Sequence, residues 1–112
     1  MDMLCVRFYV EEGMRFEHQA IGDWLFAQAK AAGIPGGTAF RASAGFGRHG
    51  LREEHFFELA GKLPEAVEFF APRETIETLI ASVGAAGLQL LYITYPVRVG
   101  GDRAGPMSGL GL

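Results

Sequence analysis

Cysteine is almost missing from this chain: Cys5 stands alone among 112 residues. An intramolecular disulfide is therefore impossible, and a metal cage built from several thiolates is excluded. Neither sign of charge dominates. Ten Lys and Arg against thirteen Asp and Glu leave a formal net charge of −3 at pH 7, which offers no general attraction to nucleic acid or to an anionic membrane. Any anion site must therefore be local. No apolar stretch approaches the length that spans a bilayer, and Met1-Asp2-Met3 lacks the basic segment and apolar run of a signal peptide. A cytoplasmic location is the expectation. The histidines His18, His49 and His55 fall on different segments with no local metal-binding spacing, so no metal and no other cofactor is expected. Paired carboxylates and an oxyanion-hole motif are missing, and Cys5 lies in an apolar strand where a thiol is usually inert filling. No catalytic residue is expected.

What is present is enough apolar material, 49% of the residues, to build the core of one domain. Leu4, Val6, Phe8 and Val10 alternate with Cys5, Arg7 and Tyr9, the period of a strand, which Glu11-Glu12-Gly13 ends. From about Glu17 to Ala32 the apolar positions Ile21, Trp24, Leu25, Ala29 and Ala32 recur at helical spacing, with Gly33 and Pro35 as the stop. A second strand runs from about Thr38 to Ala44. His55 to Leu59 is ambiguous between strand and short helix. Ala66 to Ala71 reads as a third strand, and Pro72 suits the first position of a helix with Ile76, Leu79, Ile80 and Val83 as its apolar stripe. Gly84 and Gly87 close that helix, and Leu88 to Tyr95 forms the last strand, until Pro96.

The order β-α-β-turn-β-α-β predicts the α+β, ferredoxin-like βαββαβ arrangement, with residues 1–99 as the domain and 100–112 as a flexible Gly-rich tail. Two helices cover one face of an antiparallel four-stranded sheet. The other face stays bare and carries several apolar groups, so it is expected to meet another copy.

The segment Arg41-Ala-Ser-Ala-Gly-Phe-Gly-Arg-His-Gly50 stands out. Gly45, Gly47 and Gly50 permit close approach of the backbone to a ligand, and successive amides in such a turn form an anion-binding concavity. Arg48, His49 and Arg52 add positive charge, Arg with planar bidentate geometry. A hairpin turn with a basic tip accounts for the same residues. Arg41 near a strand end finds its most natural partner in Glu68 on the neighbouring strand, either as a cross-strand ion pair or as a clamp on a ligand. Phe46 suits stacking on a planar ring or plugging a small apolar gap.

From Ala32-Gly-Ile-Pro-Gly-Gly-Thr-Ala-Phe-Arg through Ala44-Gly-Phe-Gly47, with Leu63-Pro64 before the Val67-Glu68 strand, the chain resembles the DUF190 family of PII-like proteins. It departs from the family pattern at Ala20-Ile21-Gly22, at Ala60 and Lys62, and at Ala71. The resemblance implies a homotrimer of ferredoxin-like subunits with sheets facing inward and clefts between neighbours. It further implies a small anionic ligand in those clefts, an adenine nucleotide in the wider PII group, and signalling through the loop after the second strand. A protein partner such as a membrane transporter follows from the same resemblance. Two other functions fit the residues: a small enzyme on the same scaffold, with His49 or Glu68 handling a proton, and a ligand-independent adaptor.

Overall fold

The computed structural model describes residues 2–46 and 63–101 of the chain. Strand β1 (Asp2–Glu11) lies at its centre. It is paired antiparallel on both sides, with β5 (Pro64–Ala71) from Leu4↔Ala71 to Glu11↔Pro64, and with β6 (Leu91–Arg98) from Asp2↔Arg98 to Tyr9↔Leu91. The short β4 (Thr38–Arg41) flanks β5, giving the order β4-β5-β1-β6 with every neighbour antiparallel. Helix α1 (Ile21–Ala31) connects β1 to β4 and α2 (Arg73–Ala85) connects β5 to β6. This is the predicted ferredoxin-like topology. Among the described residues no helix is long and apolar enough to cross a membrane.

Alternation along the strands sends Leu4, Val6, Phe8 and Val10 of β1, with Val67, Phe69 and Ala71 of β5, to one face, where all are buried. Ile21, Trp24, Leu25 and Ala29 of α1 and Ile76, Leu79 and Val83 of α2 close over them. Burying each large side chain of this set is worth about 1.5–3 kcal/mol, so this layer is the main source of stability. Gly37, just before β4, lies against this core: a Cβ there would sit 2.3 Å from Cε1 of Phe69. The backbone approaches the buried ring that closely only because glycine has no side chain.

Several boundaries differ from those read in the sequence. Helix α1 starts at Ile21 instead of Glu17, because Arg15–Phe16 (β2) and Gln19–Ala20 (β3) pair as a miniature hairpin. Its two turn residues, Glu17 and His18, have φ of 51° and 68°, the positive values that a two-residue type I′ hairpin requires. The hairpin is fastened by Phe16, whose ring meets Trp24 edge-on at 4.9 Å, and by the Ile21 N–H donating to the Met14 carbonyl at 2.9 Å. Strand β4 ends at Arg41 instead of Ala44. Its partner β5 begins at Pro64, which lacks the N–H that would extend the ladder. Helix α2 runs past Gly84 to Ala85, and the chain turns at Gly87 with φ of 90°. Strand β6 begins at Leu91 and continues through Pro96, which an edge strand tolerates because one side of it has no ladder to supply. Leu88 and Leu90, read as strand, pack against the core instead.

Holding Glu17 and His18 in the left-handed region costs about 1–2 kcal/mol per residue relative to glycine. The double variant Glu17→Asn/His18→Gly, which supplies the favoured type I′ pair, is expected to raise the melting temperature by about 4 °C or more. The Arg15 contact to the His18 carbonyl uses only backbone on the acceptor side and survives the change. An unchanged or lower melting temperature would show that the turn carries no strain.

Candidate functional site

Among the described residues no element covers the face of the sheet opposite the helices. Tyr9 of β1, Ala66 of β5 and Leu91 of β6 share it, as do Phe40 of β4 and Ile93 of β6. Leu91 is 66% exposed, Phe40 51% and Ile93 42%, which makes an apolar patch of the kind that soluble proteins cover. The bare apolar face read from the sequence is therefore present.

In the middle of this face lies a polar cluster. Arg7 and Glu68 stand opposite each other in the β1–β5 register and form a close ion pair. Arg7 Nη2 also donates to Tyr95 Oη at 3.3 Å, and Nη1 reaches Tyr9 Oη at 3.5 Å. Tyr95 in turn donates to Glu68 Oε2 at 3.2 Å. The Tyr9 hydroxyl and the Glu68 carboxylate both favour the charged guanidinium, so the Arg7 pKa is raised further above its usual value. Cys5 is buried beside this cluster, opposite Tyr95 in the register, and burial pushes its thiol up. A raised thiol pKa means less thiolate near neutral pH.

The expected Arg41–Glu68 pair does not form. The β4–β5 register sets Thr38 opposite Glu68 and Arg41 opposite Glu65. Arg41 Nε lies 3.7 Å from Glu65 Oε2, and Nη2 lies 3.8 Å from Glu12 Oε2, just beyond the end of β1. Two backbone hydrogen bonds close the neck of the following loop at the same place: Ala42 N–H to the Pro64 carbonyl and Glu12 N–H to the Leu63 carbonyl, both 3.0 Å. Gly45 packs against this neck, where a Cβ would lie 3.1 Å from Cγ of Pro64.

Beside the neck a cavity of about 530 Å³ opens on the bare face, with walls that include Tyr9, Phe40, Phe46 and Ile93 and with Arg41 and Glu65 at its rim. A second cavity, about 300 Å³, lies on the helix side of the same ion cluster and reaches Arg15, Asp23 and Phe26. Of the site residues singled out in the sequence, Arg41, Gly45 and Phe46 come together here. Glu68 belongs to the Arg7 cluster instead. Gly47, Arg48, His49, Gly50 and Arg52 lie outside the described residues, as do residues 55–59 and the tail from 102. Sequence reasoning missed Phe40 and Glu65 at the first cavity, Glu12 at the second, and Arg7 and Tyr95 on the face. The alternation of Arg7 and Tyr9 with buried neighbours was the available signal.

The family model DUF190 (Uncharacterized ACR, COG1993) matches residues 3–99. The chain belongs to the DUF190 family. A UPF0166 protein of Aquifex aeolicus (strain VF5) is 32% identical over 79 residues, covering 70% of this chain and 75% of that one. The UPF0166 protein MJ1524 of Methanocaldococcus jannaschii is 28% identical over 75 residues, covering 67% and 69%. Among solved structures, the chain resembles CPII of Thiomonas intermedia K12 bound to ADP, AMP and acetate, with a TM-score of 0.62, 15% identity, and 88% and 89% of the two chains covered. A PII-like signalling protein of Thermus thermophilus matches with a TM-score of 0.54, 15% identity, and 86% and 85% coverage. At these identities the likeness establishes a PII-like fold.

The polar cluster has a titration consequence. Its contact with the Cys5 thiol, its burial and the Glu68 carboxylate together push the Tyr95 phenol up to about 12. A phenol with a raised folded pKa keeps its proton longer in the folded chain than in the unfolded one. Its contribution to stability is full below the ordinary tyrosine value of about 10 and is lost as pH rises through about 12. The last step of the tyrosinate absorbance titration is expected to vanish in Tyr95→Phe. Survival of that step would assign the late proton to another group.

Proposed function

We propose that this chain is a PII-like regulatory subunit that assembles as a homotrimer and binds a small anionic ligand beside Arg41 and Phe46. The observation that carries this reading is the 530 Å³ cavity itself: aromatic and aliphatic walls with a guanidinium at the rim, open along the bare sheet face. Such a mix suits a ligand with one flat apolar part and one anionic part. The cavity walls lie on the exposed apolar face, so a neighbouring subunit laid on that face would roof the cavity and make it an intersubunit cleft. Three subunits is the number that the PII resemblance implies, with signalling through the loop after β4.

An adenine nucleotide is the first ligand to test, because the CPII structure of the same fold holds ADP and AMP. Binding without turnover is the proposal, since the described part of the cavity presents no nucleophile paired with a base. A cytoplasmic location accords with this role. Light scattering of the purified protein is expected to give about three times the chain mass of 12.1 kDa. A monomer that persists at high concentration would overturn the assembly. Titration calorimetry with ADP and with AMP is expected to give saturable binding that weakens as salt rises, because partly exposed charge attraction is screened. A trimer that binds neither nucleotide would favour the adaptor reading, in which the assembled surface docks a protein such as a transporter without ligand. Release of a chemically altered nucleotide would favour the enzyme.

A further inference from the structure

We infer that Arg41 is a switch between two sets of partners, and that Glu12 and Glu65 compete with the ligand for it. The inference rests on the anion-binding reading above and adds how that binding reaches the loop. Arg41 is held by two carboxylates at 3.7 and 3.8 Å, both beyond hydrogen-bond distance, and its side chain is 65% exposed. Among the described residues no closer acceptor engages it. Exposed ion pairs of this kind contribute little and exchange readily. A phosphate that meets the planar guanidinium through two parallel N–H donors makes a stronger, charge-assisted pair.

The position of Arg41 gives the exchange a consequence. With Glu65 it borders both cavities, the one lined by Phe40 and Phe46 and the one that reaches Asp23. It immediately precedes Ala42, whose N–H holds the Pro64 carbonyl, while Glu12 supplies the other neck hydrogen bond to Leu63. The residues that hold Arg41 are therefore the residues that flank the loop neck. When an anion draws Arg41 away, Glu12 and Glu65 lose the cation between them and repel across that neck. Ligand binding thereby loosens the two hydrogen bonds at the base of the loop, and ligand occupancy reaches the loop through a change of ion partner.

The competition separates from a general field effect through a mutant cycle. Calorimetry with ADP is run on the wild type, Glu12→Gln, Glu65→Gln and Arg41→Ala, and on each glutamine change in the Arg41→Ala background. Melting curves verify that each variant folds. Each glutamine change alone is expected to tighten binding by about threefold, the scale of an exposed ion pair, and Arg41→Ala is expected to weaken it. In the Arg41→Ala background the glutamine changes are expected to do nothing. Amide hydrogen exchange at Ala42 and Glu12 is expected to speed up when ADP binds the wild type and to stay constant when ADP saturates Arg41→Ala. A glutamine gain that persists without Arg41 overturns the switch, since it reports only the removal of negative charge. Exchange at the neck that ignores ADP overturns it as well. If the wild type binds neither ADP nor AMP, the anion reading itself fails. If it binds and the cycle is additive, only the switch fails.

Discussion

One sheet has two faces, and the helices among the described residues cover only one of them. Every other feature follows from that constraint. Because β1 is paired on both sides, its alternation fixes the faces of β5 and β6 through the register. The set Leu4, Val6, Phe8 and Val10 goes under the helices, and the set Cys5, Arg7 and Tyr9 goes to the open side. A slip of one residue in the β1–β5 pairing would turn Glu68 toward the helix layer and leave Arg7 on the open side without its carboxylate. The open side is then a mixture: apolar groups that water disfavours, around a charged pair that is already provided with partners. Tyr95 and Tyr9 occupy corners of the Arg7 fork that Glu68 leaves over. Covering such a cluster leaves few donors or acceptors unsatisfied, whereas covering a bare ion pair would be costly.

Pro64 is the second fixed point. As the first residue of β5 it ends the β4–β5 ladder, and its carbonyl receives the Ala42 N–H at that end. The chain between these two residues therefore leaves and re-enters the sheet at one narrow place. The same place carries the Arg41, Glu12 and Glu65 charges and the rims of two cavities. A ligand bound beside that neck sits next to the two backbone hydrogen bonds that close it.

The sequence disclosed the order of the elements because the apolar periods of β1, α1 and α2 are strong and their interruptions sharp. It disclosed the burial of Trp24, Leu25 and Cys5 for the same reason. The hairpin at Arg15–Ala20 was hidden, since Glu17 and His18 are not residues that announce a type I′ turn. The partner of Arg41 was hidden by register. The β4–β5 connection is too long for a turn type to set the pairing, so nothing local tells whether Arg41 meets Glu65 or Glu68. Glu65 lies on the helix side of the strand, at the rim, and Glu68 on the open side. The strand was recognised but read three residues too long, and its pairing was off by three positions.

That error is instructive because the two arginines separate by surroundings and not by chemistry. Arg7 sits mid-strand, 34% exposed at the side chain, with a close carboxylate and two tyrosine hydroxyls arranged around it. Arg41 sits at a strand end, nearly twice as exposed, with two carboxylates that approach without closing a hydrogen bond. A ligand that sought Arg7 would have to break a network whose members support one another, and would leave Glu68 without its cation. One that sought Arg41 would displace contacts of little strength. The strand end beside a cavity is therefore where a cation remains available for exchange, and the strand centre is where the same cation is committed to structure.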